Sequence, residues 1–223
     1  MPLILGVTGS IAAGKSHLCR HLAARFGARH VDADEVVHAM YAPGAPGFDR
    51  VVAEFGSGII GANDTIDRAI LGALVFGQPG RMRALNTAIG DIGAEIHAIV
   101  DRWRATLPPD GIGIVEAIYL IEEGYASWCD ATWLVAADET LALPRLMARN
   151  GLTEDEARTR LGAATPWHDR APAYDRLFFN HDTTAAFETA IDVATNELLE
   201  QHRAGALPPS RWQAWREETR SAG

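Results

Sequence analysis

The chain has little of what marks a secreted, membrane-spanning or nucleic-acid-coating protein. Two cysteines, Cys19 and Cys129, occur in 223 residues. Their positions match no metal-ligand spacing, and two thiols make no disulfide framework, so a reducing compartment is the default expectation. Cys19 falls on or near the core-facing side of a predicted helix and reads as a plain core cysteine. No apolar run approaches the ~20 residues of a membrane span. The N-terminus has no signal-peptide layout. A soluble, cytoplasmic protein without membrane contact is therefore expected. Positive charge is also short: 20 Lys and Arg face 29 Asp and Glu, for a net charge of -9. That argues against general nucleic-acid binding, which needs a basic surface. There is no internal repeat and no low-complexity tract.

What is present is a core and one dense motif. The 223 residues are enough for one α/β domain with a modest insertion, and the 48% that are hydrophobic are enough for a sizeable core. The run Leu3-Ile-Leu-Gly-Val-Thr8 leads into Gly9-Ser10-Ile11-Ala12-Ala13-Gly14-Lys15-Ser16. A helical pattern follows, with apolar residues at Leu18, Leu22 and Phe26. Strand, glycine-bounded loop and helix match G-x-x-x-x-G-K-[ST] at every fixed position. Gly9 and Gly14 allow a tight turn and close approach to phosphate oxygens. The loop N–H groups and the helix N-terminus face the same anion. Lys15 supplies a mobile positive charge for β and γ phosphates, and Ser16 offers a hydroxyl to Mg²⁺. The phosphate-binding set is therefore Gly9, Ala12, Ala13, Gly14, Lys15, Ser16 and His17.

The rest of the chain places further acids and arginines around that loop. A short strand near His30 and Val31 runs into a helix starting near Asp34. Ligands of open α/β sheets sit beyond the carboxyl ends of strands, so Asp32 and Asp34 share a side with the phosphate loop. Asp34 is either a helix cap or a site residue. Residues 41–48 form a Pro- and Gly-rich loop, 48–55 a short helix, and Thr65 is expected to cap another. Helical periodicity runs from Met82 to Trp103. About 75 mostly helical residues between the second and third strands exceed a usual crossover and read as a substrate-binding insertion. Ile112 to Glu116 is a buried strand, and its terminal acid is placed as a partner of a Mg²⁺-bound water. Thr132 to Ala137 is a fourth strand. The next helix carries Arg145 and Arg149 on one face. It ends at Gly151, before a capping box from Thr153 to Glu156. A helical hairpin with Arg149 at its tip is a candidate lid. Leu177 to Asn180 is a last short strand, and Thr183 or Thr184 caps a helix to about Gln201. The tail from Gly205 holds Trp212 and Trp215 and is either a partly ordered helix or an oligomer contact.

In this order the motifs resemble the dephospho-CoA kinase family over roughly residues 3–200. The segments carrying the resemblance are LGVTGSIAAGKS, VDADEVVHAMYAPGAPGF, FGSGIIGANDTIDRAILGALVF, VEAIYLIEEG and RLMARNGLTEDEARTRL. The resemblance implies a P-loop kinase fold, a parallel β-sheet flanked by helices. It divides the chain into a kinase domain over 1–204 and a tail over 205–223. Within the domain, the core covers about 1–40 and 110–204, the helical acceptor-binding insertion about 41–106 and the lid about 145–170. It also implies ATP-dependent phosphorylation of the ribose 3′-hydroxyl of dephospho-CoA, with ATP and Mg²⁺ required and a monomer or weak homo-oligomer. By position, Lys15 holds ATP phosphates, Ser16 ligates the metal, and Asp34 is base or positioning group for the hydroxyl. Arg145 and Arg149 act from the lid. Thr8, Asp34, Arg68 and Glu116 line the substrate side. Several positions depart from the pattern: Gly90-Asp91 for a His-Pro pair, Ala164 for glutamine, one cation at Arg170 where two are common, and Phe179-Asn180 for Asp-Asn. These leave two alternatives open, a kinase for another nucleotide or nucleoside, and a catalytically silent nucleotide-binding regulator.

Overall fold

The computed structural model describes residues 1–163 and 165–221. Ala164, one of the departures above, lies outside them, as do the last two residues of the tail. The chain divides into two compact units, Met1–His30 with Val100–Gly223, and Val31–Ile99.

The strands are β1 (Leu3–Gly9), β2 (Arg29–Asp32), β3 (Ile112–Glu116), β4 (Ala131–Ala136) and β5 (Arg176–Phe179). They form one parallel sheet in the order β2-β3-β1-β4-β5. Leu5 stands beside Ile114 on one side and Ala131 on the other. Every residue of β1, β3 and β4 is buried. Strands covered on both faces read as continuous apolar runs rather than alternating ones, which is how these three appear in the sequence. The helix α1 (Lys15–Phe26) turns Leu18, Cys19 and Leu22 into this core. Trp133, on β4, packs on Phe178 of β5 with ring centroids 5.0 Å apart.

The second unit is helical: α2 (Ala33–Met40), α3 (Pro46–Phe55), α4 (Arg68–Val75), α5 (Pro79–Ile89) and the start of α6 (Ile92–Thr106). Its own core gathers Tyr41, Val51, Ile59, Ile66, Leu71, Val75, Leu85 and Ile89. Two local expectations change here. Asp67, not Thr65, caps α4, accepting from the N–H groups of Ala69 and Ile70 at 2.8 and 3.1 Å. The helical periodicity across Met82 to Trp103 is two helices, because Gly90 takes φ +112 and ends α5. Asp91 then accepts from Ala94 N–H at 2.9 Å at the start of α6. Arg50 donates to the carbonyls of Ala88 and Ile89, satisfying the end of α5. Gly90-Asp91 is thus helix punctuation: the glycine supplies a backbone angle that other residues rarely adopt, and the aspartate supplies a cap.

The remaining helices belong to the first unit: α7 (Glu139–Asn150), α8 (Glu154–Gly162), α9 (Trp167–Arg170), α10 (Thr184–Arg203) and α11 (Arg211–Ser221). Gly151, at φ +64, ends α7, and Thr153 and Glu156 form the reciprocal capping box of α8. Thr183 caps α10. The last strand begins at Arg176, one residue before its apolar run. The Trp-bearing tail is helical and docked rather than loose. Trp212 is buried, and Asp175 accepts from Ser210 Oγ at 2.9 Å and Arg211 N–H at 2.8 Å. The same carboxylate holds Thr132 of β4 through its N–H and hydroxyl.

Candidate active site

The loop between β1 and α1 is fixed by two glycines for different reasons. A Cβ on Gly9 would stand 2.6 Å from the Val135 carbonyl oxygen, so β4 leaves no room for a side chain. Gly14 has φ +102, and a Cβ there would strike the Asn180 side-chain amide. That amide donates to the Ala13 carbonyl at 2.8 Å, tying the loop to the end of β5. Ala12 takes φ +58, a left-handed angle that costs a non-glycine residue about 1 kcal/mol or more. Ala13 N–H donates to Ser10 O at 3.2 Å, and His17 N–H to Gly14 O at 3.0 Å.

Lys15 is the only lysine in the chain. Its ammonium lies 2.5 Å from Glu116 Oε1, at the carboxyl end of β3. Ser16 Oγ donates to the same oxygen at 2.6 Å. Glu116 Oε2 pairs with His30 Nε2 at 2.8 Å. The carboxylate is fully buried. Burial alone would raise its pKa, but the His30 hydrogen bond, the Lys15 charge and the Lys15 and Ser16 hydrogen bonds bring it down to about 2. Glu116 is therefore ionised at neutral pH, and a buried charge of this kind stands only where it is paired and hydrogen-bonded.

The other expected residues divide into two groups. In the first unit, Arg145 on α7 is half-buried and reaches the Asn180 carbonyl at 3.4 Å. Arg149, one turn further, is exposed and donates to Asn150 Oδ1 at 2.9 Å. Ala12, Gly14, His17, Arg145, Asn180 and Phe187 line one open cleft beside the loop. The His17 imidazole is 2.9 Å from Glu188 on α10. Thr8 is fully buried, and its hydroxyl donates to the Ile118 carbonyl at 2.9 Å. In the second unit, Asp32 rather than Asp34 caps α2, accepting from Asp34 N–H at 2.9 Å. The Asp34 carboxylate is thus exposed on the first turn and is not used as the cap. Arg68, at the start of α4, donates to His38 Nδ1 at 2.9 Å. Burial and this guanidinium hold the His38 pKa below its ordinary value.

Three site residues escaped the sequence reading. His30 holds Glu116 from 86 positions away. Asn180 closes the loop from 167 positions away. Arg170 is buried and donates to the Ile118 carbonyl at 2.6 Å, to the Tyr174 hydroxyl at 3.2 Å and to Glu122 at 3.2 Å. The Phe179 departure has its own partner, Trp167, edge-on with centroids 4.8 Å apart. The sole signal for these contacts was the position of Asn180 and Arg170 within recognisable segments.

The loop N–H groups and Lys15 can hold and neutralise a nucleotide's phosphates, while the strand-end carboxylate anchors the ammonium and the Ser16 hydroxyl. The Dephospho-CoA kinase family profile matches residues 3–186. The dephospho-CoA kinase of Symbiobacterium thermophilum is 35% identical over 192 residues, covering 86% of this chain and 79% of that one. A Thermus thermophilus protein of known structure, TT1252, is 25% identical with a TM-score of 0.70, covering 88% of this chain and 98% of that one. The dephospho-CoA kinase of Campylobacter jejuni has the same fold at 24% identity, with a TM-score of 0.56 and coverage of 87% and 96%. Among the described residues, no helix is long and apolar enough to cross a membrane. With its phosphate loop, its parallel sheet and a match over most of its length, the chain belongs to the dephospho-CoA kinase family.

Proposed function

We propose that the chain transfers the γ-phosphoryl group of ATP to the ribose 3′-hydroxyl of dephospho-CoA, giving CoA and ADP. The observation that carries this reading is the convergence of Lys15 and Ser16 on buried, ionised Glu116 beneath the loop. Phosphoryl transfer asks for positioning and charge neutralisation more than for covalent help. Lys15 and the loop N–H groups orient the β and γ phosphates. Arg145 and Arg149 add positive charge from α7 and its end. Asp34 takes the proton of the acceptor hydroxyl at its exposed carboxylate, a role for which one positioned carboxylate is sufficient. Arg68 and the helical residues of about 41–106 serve the acceptor side.

The Ser16 hydroxyl and Glu116 carboxylate are hard oxygen donors side by side, a set that suits Mg²⁺. These two residues would hold the ion, Glu116 through bound water. When bound, Mg²⁺ neutralises charge on the β and γ oxygens. The protein works in the cytoplasm on these two small-molecule substrates, as a monomer or weak homo-oligomer.

The test is ADP release from Mg-ATP with and without dephospho-CoA. Acceptor-dependent ADP release that is abolished in Lys15→Ala supports the reading. Nucleotide binding with no stimulation by dephospho-CoA overturns it.

A further inference from the structure

Beneath the phosphate loop, three side chains of different chemistry converge. Cys19 Sγ, one nitrogen of His30 and a carboxylate oxygen of Glu116 all lie within 4.8 Å of one another. Cys19 and Glu116 are fully buried, and the His30 side chain is 23% exposed. They come from α1, β2 and the end of β3, so only the folded sheet assembles them. A thiolate, an imidazole and a carboxylate form a ligand set for zinc-like ions and not for Mg²⁺. A tetrahedral ion with bonds of about 2.0–2.3 Å spaces its ligands roughly 3.3–3.8 Å apart. No separation exceeds 4.8 Å, so the widest need close by at most about 1.5 Å, while the 2.8 Å His30–Glu116 pair opens by roughly half an ångström to admit the ion.

We propose that Cys19, His30 and Glu116 form an inhibitory binding site for Zn²⁺ or a similar transition-metal ion. Binding replaces the Cys19 S–H bond by a sulfur–metal bond, and that proton leaves to solvent. His30 ligates as the neutral imidazole through Nε2, with its hydrogen on Nδ1. Thiolate and carboxylate together balance the two charges of the ion. Glu116 is then engaged by the metal, and Lys15 and Ser16 lose the partner that orders them. The site is separate from the oxygen donors proposed for Mg²⁺ except for Glu116, and it is through Glu116 that occupation stops turnover. The inhibitory consequence rests on the kinase reading above; the binding does not.

Co²⁺ is the probe, because a cobalt–thiolate bond gives a charge-transfer absorption that needs no substrate and no turnover. Titration of the full chain should give this band, saturating at one ion per chain and reversed by Zn²⁺. Cys129→Ala should keep the band, whereas Cys19→Ala and the isosteric Cys19→Ser should lose it while keeping the wild-type circular dichroism. In assays with excess Mg-ATP, wild type should be inhibited at Zn²⁺ concentrations at least tenfold lower than those needed for Cys19→Ala. Absence of the band in wild type, its persistence in Cys19→Ala, or equal Zn²⁺ sensitivity of the two proteins would overturn the proposal. A wild type that binds Co²⁺ through Cys19 but transfers no phosphate to dephospho-CoA would instead count against the kinase reading.

Discussion

The Lys15 ammonium and the Glu116 carboxylate, 101 residues apart, meet at 2.5 Å, and the Ser16 hydroxyl shares the same carboxylate oxygen. The pair joins the first turn of α1 to the end of β3. It makes the phosphate loop and the sheet one electrostatic unit, and its consequences can be measured.

The first concerns pH. Glu116 titrates at about 2 in the folded chain against an ordinary 4.5. The unfolded chain therefore binds more protons here than the folded one between those values. The stabilisation is fully present above about pH 5 and is lost as pH falls through the folded value near 2. Unfolding midpoints measured from pH 7 to 3 should fall, and Glu116→Gln should flatten part of that fall. An unchanged slope in the variant would remove Glu116 as a source of the acid sensitivity.

The single lysine gives a chemical test. Amine-directed acylation can modify one ε-amine, that of Lys15, besides the chain terminus. Its side chain is 13% exposed, so reaction should be slow. Mg-ATP should slow it further, and modification at Lys15 should abolish turnover. Full activity in protein shown by mass spectrometry to be acylated at Lys15 would contradict its role.

Gly14→Ala tests the loop geometry. Alanine must adopt φ near +102 and push the Asn180 amide away from the Ala13 carbonyl. Strain and the lost hydrogen bond together should cost about 2–4 kcal/mol of stability. Chemical denaturation measures this directly, and a loss under about 0.5 kcal/mol would mean that the loop relaxes freely.

Asp34→Asn separates base from cap. Asp32 caps α2, so the substitution should leave stability nearly unchanged. Turnover should fall by about 10²- to 10⁴-fold, with the KM for ATP little altered. Wild-type turnover would take Asp34 out of the chemistry.

Much of this was legible in the sequence, for a physical reason. Gly151, the Thr153–Glu156 box and Thr183 act on backbone within a few residues, so their effect can be read locally. The apolar runs of β1, β3 and β4 announced strands buried on both faces. Thr65 and Asp67 were close enough in sequence to compete as caps, and it is the Asp67 carboxylate that receives the first free N–H groups of the helix. Long-range partners were not legible. His30 reaches Glu116 because the sheet order sets β2 beside β3, and nothing near His30 in the chain announces that. Cys19 likewise reads as a core residue until β3 brings Glu116 beneath it. Gly90-Asp91 stood out in the sequence only as a departure from the family pattern, and its backbone role as the junction of two helices shows only in the fold.

The most direct measurement offers the chain Mg-ATP with dephospho-CoA and, separately, with its 3′-deoxyribose analogue, and identifies products by mass. One added phosphate is expected on dephospho-CoA and none on the analogue. Phosphorylation of the analogue, or of neither compound by protein that binds ATP, would contradict transfer to the 3′-hydroxyl.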